Sequence, residues 1–494
     1  MNVNKPIFKI ILVVCIVCCA LFSRRVLFEK GIIEESISIV SYRNDYMGFE
    51  MNILDDMEVD TSLEGLLVKL ENKDTTINVF YDDFSKDIAS YNEYIEYSDN
   101  FLKDNSNIII ENNITRVNDK RAHILSWTRR KLSRIENDKN YYYSAEIKLD
   151  NNRVYTILGK TNKPNLDEIQ GLVKSFRVVG ECKPLNIPDN YFKKEKLNVD
   201  ENTRNVYNQF FSDESHLTWG IFDQFDVLDE VEEKIDYKFK FILKYQTFGT
   251  PIPATDIKEN YENGRLIELS PQNTSTDEIY DVLDGVYDEY LIRYAKDIKA
   301  LDIPILFRPN NEMNGDWCCY CDYHYSKDAE LYVKYWQYIY NVFKERGVDN
   351  LLWVWNPNSK SFPNFSWNKD LVYYPGDEYV DIIGLTAYNT GNYYKGEYWT
   401  SFSDLYDDLY NEYSRIFEKP FMITEFACST YGGDKAKWVS DMFDNLKNYP
   451  KIKVAIWWSY IDYDINGNEA RVYCINRPKQ VLDVFKKKIK ENVR

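Results

Sequence analysis

The sequence predicts an α/β protein: a (β/α)8 TIM barrel in the C-terminal part of the chain, preceded by a smaller α+β domain and an N-terminal signal or anchor segment. Three observations carry this. From residue 206 onward, apolar runs of strand length alternate with amphipathic helical stretches. Eight such strand-then-helix units fit into the remaining ~285 residues, the size of a (β/α)8 barrel. No glycine-rich phosphate loop follows any of the strands, which disfavours the runner-up, a doubly wound open sheet.

Residues 1–30 are expected to be a signal peptide or membrane anchor. Lys5 and Lys9 precede thirteen apolar residues, 10–22, and Arg24 and Arg25 follow. That run has the length of a signal-peptide core and is short for a membrane span. No clear small-x-small cleavage site follows it, so an uncleaved tether through residues 7–28 stays open. Basic residues flank both ends and leave orientation unfixed. The expected location is extracytoplasmic, secreted or anchored at the outer face of the cell membrane.

Residues 36–180 read as an α+β accessory domain. NYYYSAEIKLDNNRVYTILGKT (140–161) is two strands joined by the turn residues Asp150, Asn151 and Asn152. TTINVFYDDF (75–84) is another alternating run. In NLDEIQGLVKSF (165–176), Ile169, Leu172, Val173 and Phe176 share one helical face. No catalytic constellation stands out in this part. Residues 181–205, polar, charged and carrying Pro184 and Pro188, read as a linker.

Residues 206–494 form the predicted barrel. Its strands are WGIF (219–222), FKFILKY (239–245), RLIEL (265–269), IPILF (303–307), LLWVW (351–355), VDIIGLTAY (380–388), FMIT (421–424) and VAIWW (454–458). Between the third and fourth strands, 275–302 reads as one helix. It opens with a capping box of Ser275 and Glu278 and keeps Ile279, Val282, Leu283, Val286, Tyr290 and Ile298 at helical spacing.

Composition narrows the partners. The net charge of −18 argues against nucleic acid, whose phosphates need clustered Lys and Arg, and suits a neutral substrate. Aromatic residues are 16% of the chain, which serves core packing or a groove that stacks the apolar faces of sugars. Outside the N-terminal run, Cys182, Cys318, Cys319, Cys321, Cys428 and Cys474 lack the spacing of a disulfide framework. In CCYCDYH (318–324) the spacing is too tight for the usual zinc pairs, and buried thiols or a single disulfide are expected instead. No metal or cofactor is expected, and the protein is expected to be a monomer.

Active sites of such barrels lie at the C-terminal strand ends. After the fourth strand comes RPNNEMNGDW, with Glu312; after the seventh, ITEFACS, with Glu425. Asn356 follows the fifth strand, Tyr388 and Asn389 end the sixth, and Trp457 and Trp458 stand in the eighth. Two carboxylates across a cleft are what glycosidic-bond hydrolysis requires: one protonates the leaving oxygen, the other attacks the anomeric carbon or activates water. Tyr388 is placed to donate a hydrogen bond to Glu425, while Glu312, nearer apolar walls, is placed to stay protonated. A single glutamate at a strand end is often only a salt-bridge partner; two, each among amides or aromatics, weigh toward catalysis. His123, His216 and His324 follow no strand end at the mouth, which disfavours a Ser-His-Asp hydrolase.

These motifs carry a resemblance. RPNNEMNGDW is similar to the acid/base signature of glycoside hydrolase family 26, in clan A, and ITEFACS to its nucleophile strand. DEIYDVLDGVYDEYLIRYAKDI before the fourth strand and YYPGDEYVDIIGLTAYN (373–389) also resemble that family, so the resemblance covers roughly 215–490. It implies a retaining endo-β-glycanase with Glu312 as acid/base and Glu425 as nucleophile. Tyr388 would orient the nucleophile, and Trp317 and Trp457 would contact sugar. Asn311 and Asn356 join them as substrate-binding candidates. Mannanases of the family usually carry His before the acid/base Glu; here it is Asn311, which elsewhere in the clan binds the sugar 2-hydroxyl. That raises glucan or xylan beside mannan. A second departure is Ala427–Cys428, where the family often shows Gly-Cys. The accessory domain resembles the PsbP/Mog-like domains of exported bacterial proteins in its opening YMGFEMNIL and closing SFRVV.

Two further stretches are candidates for the groove. DYDINGNE (462–469) begins like a calcium loop but lacks the closing glutamate, and reads as a polar loop above the eighth strand. GNYYKGEYW (391–399) offers aromatics for stacking. The alternative function is a cell-surface polysaccharide-binding protein on a catalytically retired hydrolase barrel; a third reading is action on the cell's own exopolysaccharide.

Overall fold

The computed structural model describes residues 38–63, 65–85, 90–101, 107–183 and 185–492. The expected signal or anchor segment, 1–30, lies outside them. Among the described residues no helix is long and apolar enough to cross a membrane.

Among the described residues, the N-terminal module has ten strands: β1 (Ile39–Asn44), β2 (Phe49–Leu54), β3 (Glu58–Asp60), β4 (Leu67–Glu71), β5 (Thr75–Asp83), β6 (Ile108–Val117), β7 (Lys120–Thr128), β8 (Tyr141–Lys148), β9 (Arg153–Thr161) and β10 (Arg177–Val178). Seven form an antiparallel sheet in the order β3-β4-β5-β9-β8-β7-β6, and β1-β2-β10 form a second. The expected hairpin is β8–β9. One face of the larger sheet buries Ile77, Val79, Ala145 and Ile157 against Ile169, Leu172 and Val173 of helix Asp167–Lys174. The other face packs Phe80, Trp127 and Tyr142 under helix Tyr91–Phe101, which the sequence reading did not draw. That second core also takes in Phe365 and Trp367 from the barrel. The module therefore completes its hydrophobic interior with side chains from the barrel.

The predicted linker is strapped to the barrel instead of hanging free. Phe192 bridges Phe417, and its ring stacks there with centroids 4.6 Å apart. One buried aromatic is enough to dock a short polar segment. Asp200 then caps helix Glu201–Phe211 by accepting from the Thr203 amide.

The eight barrel strands are β11 (Thr218–Asp223), β12 (Phe241–Thr247), β13 (Leu266–Gln272), β14 (Ile305–Phe307), β15 (Leu351–Trp355), β16 (Ile382–Asn389), β17 (Phe421–Cys428) and β18 (Ile452–Ser459). They close into a parallel barrel in chain order, as the alternation predicted. Alternate side chains fill its interior: Phe241, Leu243, Leu306, Leu352, Val354, Met422, Val454 and Ile456, with Val206, Tyr207 and Phe211 of the preceding helix in the same cluster. The opposite set packs outward on the surrounding helices.

The single helix expected over 275–302 is two, Asp277–Leu283 and Asp288–Leu301. Gly285 sits at φ +79° between them, a left-handed turn that ends the first helix. Val286, expected on the buried face, is 68% exposed in consequence. Of the capping box only half forms: the Glu278 carboxylate accepts from the Thr274 and Ser275 amides, while Ser275 Oγ accepts from Asp277.

Candidate active site

At the C-terminal strand ends a cavity of about 1210 Å³ opens, and both Glu312 and Glu425 line it. Around them stand Tyr245, Gln272, Asn311, Trp317, Asn358, Tyr388, Trp458 and Tyr473.

Glu312 is held in an unusual backbone. It sits at φ +55°, and Asn310 two residues earlier at φ +50°. Asparagine tolerates the left-handed region; glutamate does so at a cost of about 1–2 kcal/mol, and such positions persist only where surroundings enforce them. Here the Glu312 amide donates to the Asn356 carbonyl at 2.7 Å, and the Gly315 amide donates to the Glu312 carbonyl at 2.9 Å. The turn thus aims the carboxyl into the cavity. Asn358 Nδ2 donates to its Oε1 at 2.5 Å and Trp317 Nε1 to its Oε2 at 3.2 Å. Removal from water, and next the negative charge of Glu425, push the Glu312 carboxyl up to about 7; the two donors and Arg308 oppose that.

Glu425 reaches the mouth through an irregularity in β17. Phe421, Ile423 and Phe426 pack outward and Met422 inward. Strict alternation would send Glu425 outward with Phe421 and Ile423. Against β16, Leu385 pairs with Ile423 but Thr386 pairs with Glu425; against β18, Ala455 pairs with Ile423 and Trp457 with Phe426. The one extra residue on β17 is a bulge, and it turns Glu425 inward. Three donors meet its carboxylate: Tyr388 Oη at 2.6 Å on Oε2, Arg308 Nη1 at 2.6 Å and Asn311 Nδ2 at 3.2 Å on Oε1. The expected hydrogen bond from Tyr388 is present.

A charged layer lies beneath. Arg308 is fully buried; its Nε lies 2.8 Å from Glu268 Oε1, and its Nη1 also donates to Asn356 Oδ1 at 2.8 Å. Burial pushes the Glu268 carboxyl up to about 8, with Arg308 opposing and Glu425 adding to the rise. At neutral pH Glu268 therefore keeps its proton.

Among the sequence-predicted site residues, Glu312, Glu425, Asn311, Trp317 and Tyr388 meet at the cavity. Two do not. Trp457 is fully buried and faces outward among Phe426, Trp438 and Phe485, with Nε1 donating to the Tyr473 carbonyl at 2.9 Å. Its neighbour Trp458 lines the cavity instead. The parity of Val454 and Ile456, both interior, carried that signal. Asn356 lies under the floor, donating to Thr386 Oγ1 at 3.1 Å, and Asn358 of the same WNPN stretch does the lining. Sequence reasoning also passed over Arg308, which opens the very motif that carries Glu312, and Glu268, whose interior parity follows from Leu266.

The two loop candidates do reach the groove. Gly396, Glu397 and Tyr398 line it, as do Asp462 and Arg471 on the hairpin β19 (Ile461–Tyr463) and β20 (Glu469–Val472). Arg471 bridges them, donating from Nε to Glu397 at 2.7 Å and from Nη1 to Asp462 at 3.1 Å. Asp464 accepts from the amides of Asn466 and Asn468, so the calcium-like stretch is a hydrogen-bonded turn. The six described cysteines are all free thiols, Cys318, Cys321, Cys428 and Cys474 buried.

Fold and site together define a (β/α)8 barrel with a pair of glutamates facing one open cavity at its C-terminal mouth. Residues 271–426 match the model of glycosyl hydrolase family 26. That match lies wholly within the barrel. Endoglucanase H of Acetivibrio thermocellus is 30% identical over 260 residues, 52% of this chain and 27% of that protein. A mannan endo-1,4-beta-mannosidase of Bacillus subtilis (strain 168) is 32% identical over 173 residues, 33% of this chain and 41% of that one. The chain thus spans less than half the length of these curated relatives. Among solved structures, the catalytic domain of the Bacillus sp. JAMB-750 GH26 endo-beta-1,4-mannanase is 20% identical over 62% of this chain and 94% of its own, with a TM-score of 0.44.

Proposed function

We propose that the protein is a retaining endo-β-glycanase that cleaves a β-linked polysaccharide by double displacement, with Glu312 as acid/base and Glu425 as nucleophile. The observation that carries this is the unequal treatment of two glutamates on one cavity. Glu312 is desolvated and pushed up to about 7, whereas Glu425 receives three donors.

Each environment suits its step. Protonated Glu312 gives its proton to the glycosidic oxygen as that bond breaks. A Glu425 oxygen attacks the anomeric carbon and forms a glycosyl ester. The ester has lost the negative charge that helped to raise Glu312, so Glu312 releases a proton more readily in the second half. It takes one from water, whose oxygen attacks the anomeric carbon, and Glu425 leaves as carboxylate. Tyr388 and Arg308 hold that carboxylate in line.

Asn311 lies beside the attacking group, 3.2 Å from Glu425 Oε1, with its own Oδ1 accepting from Gln272 Nε2 at 2.8 Å. It is placed to meet the 2-hydroxyl next to the anomeric carbon. This supports a backbone with an equatorial 2-hydroxyl, glucan or xylan, over mannan, because an amide set for one orientation loses its hydrogen bond with the other. The same reading puts the enzyme outside the cytoplasm, on the strength of the apolar run 10–22; the intact mass of the exported protein tests that.

The decisive experiment is Glu425→Ala assayed on soluble glucans, xylans and mannans. Loss of new reducing ends by more than about 10⁴-fold is expected, with azide restoring turnover as an α-glycosyl azide. A fully active variant overturns the assignment. Binding of these polysaccharides by the wild type with no new reducing ends would favour the binding-protein alternative.

A further inference from the structure

A second cavity, of about 780 Å³, adjoins the first. The two share Asn358, Ser359, Lys360, Phe362 and Leu405 as a common wall. Its far side is built by the N-terminal module and the strap that follows it: Leu66, Phe84, Tyr97 and Leu185. The near side is the barrel segment through Phe365 and the helix Phe402–Ile416, which contributes Asp408 and Leu409. Neither the barrel nor the module forms this cavity alone.

Three features point to an occupant. First, the cavity is continuous with the acid/base side of the active site. Asn358, on the shared wall, is one of the two residues that donate to Glu312, with Trp317 at the passage the other. No residue of that wall donates to Glu425, whose donors are Tyr388, Arg308 and Asn311. Second, the passage is edged by two aromatics, Trp317 and Phe362, 52% and 45% exposed with ring centroids 5.6 Å apart. Exposed aromatics at a cavity rim offer flat apolar faces of the kind a pyranose ring covers. Third, the far wall is preformed. Ser366 donates from its amide and its hydroxyl to Asp82 of the module, at 2.8 and 2.7 Å, and Phe365 packs against Phe84, Tyr94 and Tyr97. A wall fixed in this way binds without first being ordered.

We propose that this cleft is a remote binding site for the leaving-group side of the same polysaccharide chain, with the N-terminal module supplying one wall. The proposal rests on the glycanase reading, because a continuing chain is the occupant that the shared wall predicts. It gives the module a role in substrate engagement: the sugars downstream of the scissile bond pass Trp317 and Phe362 and lie between barrel and module. Binding energy from such remote sugars appears in kcat/KM for long substrates and is absent for short ones.

The test uses the full chain and a ladder of cello-, xylo- and manno-oligosaccharides from dimer to hexamer, with the parent polysaccharides. Two variants open or charge the far wall: Tyr97→Ala and Leu185→Asp, the latter at a 44% exposed position that folding tolerates. In each, kcat/KM is expected to fall about tenfold on the polysaccharide and the hexamer and to stay at the wild-type value on the shortest hydrolysed oligomer. Equal losses on short and long substrates, or no loss on either, would overturn the proposal. So would a wild-type kcat/KM that does not rise with chain length. If the wild type hydrolyses nothing, the glycanase reading fails by itself. The cleft is then judged by calorimetric binding of the hexamers to the wild type and to Leu185→Asp: weaker binding to the variant upholds it, and equal binding or none overturns it.

Discussion

Two of the places where the molecule buries charge are handled differently. At the seam between module and barrel, Lys160 and Glu146 are closed by oppositely charged partners. Lys160 Nζ lies 2.8 Å from Asp328 and 2.6 Å from Glu330. Burial alone would lower Lys160, yet these two carboxylates hold it above the usual lysine range. Burial alone would raise Glu146, yet Lys327 and His123 hold it below its ordinary value. At the barrel mouth the balance tips the other way: desolvation prevails over the available donors at Glu312 and at Glu268. A buried charge closed on all sides fixes an interface; a carboxyl kept neutral beside an open cavity is ready to give its proton away.

That contrast can be broken by exchanging the symptoms. Glu312→Ala is expected to cost about 10²–10⁴-fold in kcat/KM on polysaccharide, with the denaturant midpoint of unfolding unchanged or raised, because a strained backbone carrying a desolvated carboxyl is relieved of it. A drop in midpoint as large as the drop in activity would make Glu312 a structural residue. Asp328→Ala should do the reverse. It removes the acceptor of Lys160 and of the Tyr142 hydroxyl, 2.8 Å away, and should cost about 3–5 kcal/mol in chemical denaturation while kcat/KM of the folded protein holds. Unchanged stability there would mean that Glu330 alone satisfies Lys160.

The pH profile sharpens the comparison next. The first step needs protonated Glu312, so kcat/KM should fall as pH rises through about 7, tenfold per unit beyond it. The folded protein holds this proton more tightly than the unfolded chain. Its contribution to stability is therefore full below the ordinary glutamate range and is lost as pH rises through about 7. An activity profile flat from neutral to alkaline pH would contradict the acid/base role. The smallest effect is expected from Trp317→Phe. It removes one of the donors that oppose the rise, so the alkaline limb should move upward in pH and KM should rise modestly. A downward shift of that limb would refute the arrangement.

How much of this was legible depended on whether a rule had one outcome. Alternating apolar runs and helices admitted a closed parallel barrel, and the strand ends then pointed to Glu312 and Glu425. Asn356 and Trp457 were misjudged because proximity to a strand end does not say which way a side chain points; the parity of Val454 and Ile456 would have chosen Trp458. The 275–302 helix was drawn unbroken because its apolar spacing continues across Gly285, whose positive φ is a tertiary outcome. The strap at Phe192 and the completion of the module's core by Phe365 and Trp367 join residues far apart in the chain, and no local pattern encodes them.

What the amino-acid order determined by itself was the barrel, its eight strands and the two glutamates, since these follow from short-range periodicity and from where a parallel strand ends. What only the tertiary structure decided was the direction and state of each group. The bulge that turns Glu425 inward, the left-handed turn that presents Glu312, and the buried Arg308 and Glu268 beneath them are settled by neighbours from other strands. Ionisation and orientation depend on what surrounds an atom in space, and that environment exists only after the barrel has closed.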